Sequence, residues 1–422
     1  MTELTLSSED RKMLDGERGE GAQIAMRIVA RIARIQGATE LVDVSHVHVG
    51  GSIYTGPGSL EVIETLVDRG AQVRVPTTIN SISIDQKRWK TQGIDEDFAH
   101  KANRLAAAFE NLGASPIFSC TPYVFPAGPR FGEDIVWAES NAIVYANSVI
   151  GARTNRHGDF LDICAAITGR APFAGLHLPK NRKGSFLVKV PPMDRLDGSF
   201  YTALGYLVGK HSGELIPVID GISTEPSMED LKSFCAAVAT AGPVGMFHMV
   251  GVTPEAPTVE AALGGRKPTR IFEITGEMLY DTVKGLSTGV GTNLDLVVVG
   301  SPHFTLGDCA ELAGLVAGKK CAPGVDFMIT TNKFVLDQAV RQGWAQTVEE
   351  FGARFSTDTC LCMLNPDMLS EDVKTVMTNS GKFAHYGPGL VRRGVYFGTI
   401  NDCVESAVAG IPLTRTPAWA AG

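Results

Sequence analysis

Short apolar, β-branched runs that break into polar turns and then into helical periods recur along the whole chain. This rhythm constrains the fold more than any other feature of the sequence. Residues 294–312, LDLVVVGSPHFTLGDCAEL, are one full beat. Val297, Val298 and Val299 form the continuous apolar run of a strand covered on both faces, Gly300-Ser301-Pro302-His303 interrupt it, and a helix follows. The same reading gives a helix over 22–36 from the period of Ile24, Ile28, Ile32 and Ile35. It gives strands over 41–51, 71–80 and 115–126, and helices over 59–69, 95–112, 140–149 and 159–168. Further strands are expected near 216–219, 244–249, 269–273, 295–299 and 325–330, and a last strand-like run over 395–408. Strands that alternate with helices predict an α/β fold with mostly parallel sheets. The character of the chain changes over 171–215, so the expected division is a first α/β region at 1–170, a transition at 171–215 and a second α/β region at 216–422.

Composition narrows the partners. The 422 residues suffice for two or three domains with large cores. A net charge of −8 without a basic block argues against nucleic acid, because neutralising phosphates needs clustered Lys and Arg. No apolar run approaches the ~18 residues of a membrane span, and the polar, acidic start is unlike a secretory signal. The expected location is the cytoplasm. There, eight cysteines (120, 164, 235, 309, 321, 360, 362 and 403) read as buried, metal-binding or catalytic rather than disulfide-bonded.

Ligands of open α/β sheets bind beyond the carboxyl ends of strands, so the polar strand exits are the places to search. Cys120 lies in Ser-Cys-Thr-Pro, and Cys360 and Cys362 follow Thr-Asp-Thr. Cysteines on separate loops that converge are one way to hold an iron–sulfur cluster, and a buried structural role is the bland alternative. His46 and His48 share a strand face. A metal pair there competes with plain strand-end residues, and with His303 they form the basis of a rival zinc-hydrolase reading. Thr77 and Thr78 stand at another exit. Tyr54-Thr55-Gly56-Pro57-Gly58 offers backbone N–H groups to a carboxylate, although a capped turn explains it equally. The densest polar stretch is Glu139 to Asn155. On a helix, Asn141, Tyr145 and Ser148 share a face, Asn147 lies beside them, and Arg153 with Thr154 and Asn155 has the chemistry of a bidentate carboxylate clamp.

Taken together, LDGERGEGAQIAM (14–26), SCTPY (119–123), ESNAIVYANSVIGARTNR (139–156), AAITGRAP (165–172), GSPHF (300–304), DTC (358–360) and AHYGPG (384–389) resemble the aconitase X family of the aconitase superfamily. The resemblance covers essentially the whole chain. It implies an aconitase-like core of three-layer α/β/α units, with the swivelling domain absent from this chain and supplied by a small partner subunit that carries a serine base. It implies an iron–sulfur dependent hydro-lyase acting on a small hydroxy amino acid, cis-3-hydroxy-L-proline, to give Δ1-pyrroline-2-carboxylate. The alternatives are mevalonate 5-phosphate dehydration and a non-catalytic iron–sulfur regulator. Metal ligands are then expected at Cys120 and Cys360, with Cys309 and Cys362 as candidates for a further one. Serine 301 stands where relatives with a cubane cluster resemble GCPH. A hydroxyl is a harder ligand than a thiolate, which favours [2Fe–2S] over [4Fe–4S]. In this reading His303 protonates the leaving hydroxyl, Arg153 holds the carboxylate, Ser148 assists, and His48, Tyr54, Thr77, Thr78, Asn141, Tyr145, Asn147, Thr154, Asn155, Ser301 and His385 line the substrate site.

Overall fold

In the computed structural model residues 3–420 are described, and every strand among them belongs to one of three α/β units. In the first unit the strands Thr77–Ile79, Val47–Val49 and Val136–Trp137 lie side by side and parallel, with Val47–Val49 in the middle. A small antiparallel pair, Leu41–Asp43 with Arg170–Pro172, closes its edge. The expected strand over 41–51 is therefore two strands in two sheets.

The helix Glu20–Ile35 forms where its period places it but buries a different face. Ala25, Met26, Val29, Ala30 and Ala33 are at most 1% exposed, whereas Ile35 is 71% exposed. Alanines let the neighbouring helix Leu161–Thr168 approach closely, and the isoleucines are left at the flanks.

The second unit is a four-stranded parallel sheet in the order His248–Met249, Pro217–Asp220, Phe186–Lys189, Arg270–Glu273. Phe186–Lys189 is a central strand, and the long helix Gly198–Ser212 packs on Met228–Ala241. The expected transition at 171–215 is thus part of a core. Its change in composition reflects Pro- and Gly-rich connections around a strand, not a linker. The residues from 216 onward contribute to two sheets, not one.

The third unit is a five-stranded parallel sheet in the order Ala353–Thr357, Asp326–Thr331, Leu296–Val299, Thr375–Thr378, Gly394–Phe397. Val297 and Val299 pack on one face and Val298 on the other, all three without solvent exposure. This explains the unbroken apolar run. The chain moves outward from Leu296–Val299 in one direction and then returns to its other side. The crevice beyond Leu296–Val299 and Thr375–Thr378 is therefore the switch point of this sheet. By the same logic the first sheet has its switch point beyond Val47–Val49 and Val136–Trp137.

Candidate active site at two facing sheet ends

The carboxyl ends of the first and third sheets face each other. Ile82 pairs with Thr359 as an isolated bridge, its N–H 2.8 Å from the Asp358 carbonyl, and Asn332 at the third sheet donates to Ser119 Oγ over 3.1 Å. Three cysteine thiols meet in this seam. Cys120 leaves the extended segment at the edge of the first sheet, while Cys360 and Cys362 follow the edge strand Ala353–Thr357. In both loops the residue two positions before the leading cysteine, Phe118 at φ 40° and Asp358 at φ 69°, is held in the left-handed region. Backbone strain of this kind on non-glycine residues persists where surrounding structure enforces it, commonly at functional sites.

Cys360 is the middle of a row, with its thiol hydrogen-bonded to both Cys120 and Cys362. Those two bonds hold the Cys360 thiol well below its ordinary value, despite burial. Burial and the neighbouring Cys360 push Cys120 well up, and the bond to Cys360 followed by burial does the same for Cys362. Ser301 Oγ lies 4.0 Å from Cys360 Sγ, and the His303 backbone N–H donates to Cys120 Sγ over 3.2 Å. Gly300 makes this turn possible. Its φ is +100°, and a Cβ there would stand 2.2 Å from the Thr330 carbonyl oxygen.

Around the thiols, buried polar atoms without a partner accumulate: His303 Nδ1, Thr359 Oγ1, Asn80 Oδ1 and His48 Nε2. Buried polar groups are nearly always paired, so such a cluster marks a ligand position. His303 Nε2 lies 2.7 Å from the Thr359 carbonyl, which can only accept. The ring proton therefore sits on Nε2, and burial keeps the ring neutral. The bare Nδ1 is an acceptor, so the geometry does not give His303 the proton to donate that the sequence reading assigned to it.

The sequence reading passed over two charged residues that meet here. Glu139, just past the first sheet's switch point, and Lys382, in the first turn of the helix Gly381–Val391 at the third sheet's, form a 3.0 Å ion pair. Glu139 also accepts from Asn141 Nδ2 at 2.9 Å, Ser140 Oγ at 3.2 Å and Asn80 Nδ2 at 3.3 Å. Burial opposes the Lys382 charge, but Glu139 and the three thiols outweigh it and raise the lysine further. The helix cap Ser380 hydrogen-bonds the Ser301 carbonyl and fixes the two turns of the switch point together. The signal for Lys382 was its place at the exit of a strand that the periodicity did not reveal, Thr375–Thr378.

Of the expected site residues, Cys120, Cys360, Cys362, Ser301, His303, His48 and Asn141 converge. Asn141 donates to the Cys120 carbonyl at 3.0 Å and accepts from Tyr123, whose ring stacks on Tyr145 at 3.9 Å. Tyr145 therefore supports the site from behind. Thr78 binds His48 Nδ1 over 2.9 Å and sets that ring, while Thr77 turns back to the Val75 carbonyl.

The others lie elsewhere. Arg153 pairs through its backbone with Asp134 at the amino end of the Val136–Trp137 strand, the end opposite the thiols, so it is no carboxylate clamp there. The expected helix over 140–149 turns into a π-helical turn, Ala146–Ile150, and this swings its tail toward the second unit. Ser148 accepts from the Phe247 N–H, and Asn147 binds Thr154, Gly245 and Arg182. Asn155 binds Leu176 and Ala174, and Thr154 accepts from the Trp137 N–H. Ser148 and Asn147 thus tie the first unit to the second, while Thr154 and Asn155 bond within the first. Tyr54 packs edge-on against Phe98, and His385 is exposed with its Nδ1 2.8 Å from the Tyr206 hydroxyl. Cys309 sits in the apolar core under the third sheet, where burial pushes its thiol up to about 12.

The donor set suits a multi-iron cluster. Soft thiolates on separate loops favour iron–sulfur chemistry. Among the described residues no three His, Cys, Asp or Glu side chains gather around one point as a single ion requires. His46, from the zinc reading, instead accepts a 3.0 Å hydrogen bond from the Trp137 indole.

Fold and site together define a three-unit α/β chain whose thiol row lies between two facing switch points, the arrangement of a cluster-bearing hydro-lyase core. Family models for the aconitase X first, second and third domains match residues 3–180, 184–284 and 294–409. The chain belongs to the aconitase X family, whose general property is an iron–sulfur dependent hydro-lyase activity. It is 47% identical over 415 residues to a cis-3-hydroxy-L-proline dehydratase of Pseudomonas aeruginosa, covering 98% of this chain and 72% of that protein. A protein of the same name from Hypocrea jecorina is 43% identical, with 99% and 70% covered. A phosphomevalonate dehydratase large subunit of Methanothermobacter thermautotrophicus is 35% identical, with 91% and 94% covered. The crystal structure of Thermococcus kodakaraensis aconitase X in its holo-form superposes with a TM-score of 0.86 at 29% identity, covering 96% of this chain and all of that one. Among the described residues no helix is long and apolar enough to cross a membrane.

Proposed function

We propose that this chain dehydrates cis-3-hydroxy-L-proline to Δ1-pyrroline-2-carboxylate, as the cluster-bearing part of a cytoplasmic hydro-lyase. The observation that carries the reading is the row Cys120–Cys360–Cys362 with Ser301 beside it, at the facing sheet ends of a chain 47% identical to an enzyme of that name. In this reading the three cysteines hold the cluster. Ser301, where relatives with a cubane cluster resemble GCPH and carry a ligand cysteine, favours a [2Fe–2S] type. When bound, such a cluster supplies a Lewis acid for the hydroxyl, a poor leaving group on its own.

The chain's own groups do the rest of the positioning. His303, fixed by the Thr359 carbonyl, turns its bare Nδ1 to the site as an acceptor. Lys382 stands protonated within reach of the thiols' charge. The buried seam excludes bulk water, which strengthens every polar contact inside it. The base that removes the weakly acidic Cα proton is assigned to the serine of a small swivelling subunit. A separate small subunit accords with the name of the archaeal relative, a large subunit. Phosphomevalonate is the less favoured substrate. A phosphate dianion calls for several free cations, whereas Lys333, the next lysine along the seam, is already paired with Asp358 at 3.0 Å.

The test is oxygen-free purification, iron and sulfide per chain, and imine formation from cis-3-hydroxy-L-proline. Two irons, two sulfides and turnover are expected. Four irons would replace the cluster assignment, and a loaded enzyme that turns over only phosphomevalonate would replace the substrate.

A further inference from the structure

The sequence reading gave the substrate carboxylate to Arg153, and the structure moves Arg153 to the wrong end of its sheet. A carboxylate brought into a buried seam needs a cation or several N–H donors, because leaving it unpaired costs far more than the contact supplies. At the seam the cation is Lys382. An ammonium has three N–H donors. Among the described residues Lys382 Nζ makes one hydrogen bond, to Glu139 Oε1, so two donors remain. Its side chain is 17% exposed, enough for a small molecule to reach it and too little for water to satisfy it freely.

Glu139 fixes the ammonium in place. Both of its carboxylate oxygens are already engaged by Asn141, Ser140 and Asn80, so the pair does not swing as a surface pair would. Lys382 also lies in the first turn of an eleven-residue helix, where the backbone N–H groups and the helix dipole add to its attraction for an anion.

A second, independent observation lies on the other side of Glu139. Asn80 is 3% exposed and presents its Nδ2 to Glu139 Oε2. A carboxylate can only accept, so the orientation of the amide is settled, and Oδ1 is turned away from Glu139 toward the buried His48 ring, so that Glu139 is held from this side as well.

We propose that Lys382 is the anchor for the carboxylate of an amino-acid substrate, its two spare N–H donors binding the carboxylate oxygens. This rests on the hydroxy-amino-acid reading above and names the residue that recognises it. It also supplies a reason for the buried pair. A buried ion pair is weak evidence for stability by itself, but one that keeps spare donors is preorganised to bind without reordering.

The experiment uses the cluster-loaded enzyme and three unreactive probes. L-proline lacks the 3-hydroxyl, L-prolinamide also lacks the carboxylate charge, and cyclopentanecarboxylate lacks the ring nitrogen. The wild type should bind L-proline tighter than L-prolinamide by on the order of a hundredfold, the scale for a buried charge deprived of its partner. Lys382→Met should bring that ratio close to one, and Lys382→Arg should keep most of it. Cyclopentanecarboxylate, which keeps the carboxylate, should also lose affinity on Lys382→Met. Iron and sulfide are measured on every variant. A Lys382→Met protein that keeps the wild-type ratio, whatever its iron content, overturns the anchor and leaves the substrate reading intact. A loaded wild type that binds none of the three probes overturns the substrate reading, and the anchor with it.

Discussion

The third and second units are built alike, yet their switch points have opposite fates. In the third sheet the crevice beyond Leu296–Val299 and Thr375–Thr378 opens toward the first unit and receives Ser301, His303 and Lys382, with Cys120 across the seam. In the second sheet the matching crevice lies beyond Phe186–Lys189 and Arg270–Glu273, and it is the roomier of the two. A cavity of about 620 Å3 there is lined by Pro191, Pro192 and Tyr280, against about 30 Å3 for the one lined by Gly300, Ser301 and Gly381. Trp419 forms part of its lining. Its indole donates to Ser199 Oγ at 3.0 Å and Asp197 Oδ1 at 3.2 Å, and its ring meets Phe200 edge-on. Sheet topology therefore offers a binding crevice in each unit, and the residues that face it decide whether chemistry or packing occupies it. Volume is a poor guide here, because the crevice that gathers Ser301, His303 and Lys382 is the smaller of the two.

The difference can be broken most sharply at Cys360. Cys360→Ser removes the middle of the thiol row, and cluster content and turnover should fall together. The loss should be about a thousandfold or more, the scale of several kcal/mol of Lewis-acid stabilisation. A variant that keeps its iron would show that the row is not the cluster site.

Acid should separate the units next. The first unit buries three neutral histidines. Burial lowers His46 to about 4 and His48 and His157 to about 3, from an ordinary value of 6.5. A folded-state value below the unfolded one means that the unfolded chain binds more protons. Their contribution is therefore intact above pH 6.5 and is lost as pH falls from 6.5 toward 4. Each costs up to about 1.4 kcal/mol per pH unit in that window. Hydrogen exchange at pH 5 should show the first unit opening before the third, and uniform protection would contradict it.

Trp419→Ala should cost about 3 kcal/mol of stability, the scale for a buried aromatic, read as a lowered Tm. The turnover of the loaded enzyme should hardly change, and a collapse in kcat with Tm unmoved would mean that the second crevice takes part in the reaction. Smallest is Arg104→Ala. Its pair with Glu64 is 46% and 33% exposed, and exposed pairs contribute less than about 1 kcal/mol. A loss comparable to that of Trp419→Ala would show that solvent exposure does not rank these contacts.

Much of this molecule was legible in its sequence. Val297–Val299 announced a doubly covered strand because an unbroken β-branched run has no solvent face to offer. Cys120, Cys360 and Ser301 were legible because polar turns at strand exits are where parallel sheets place ligands. The isoleucines of the helix Glu20–Ile35 misled, since close helix packing chose the alanine face. Arg153 misled as well. Proximity in sequence to Asn141 does not survive a π-helical turn, which rotates and displaces everything after it.

What the sequence by itself determined is the alternation, the parallel sheets, the family and the thiol-bearing loops, all of which follow from local pattern and local chemistry. Tertiary structure alone decided that Cys362 joins the row and Cys309 does not. It also decided that Glu139 finds Lys382 across 243 positions of chain and that one switch point gathers thiols and an ion pair while its twin is lined by packing side chains such as Trp419. The physical reason is that strand order is a property of the assembled sheet. Which turns meet across a crevice depends on the direction in which each strand was added, and no window of sequence records that direction.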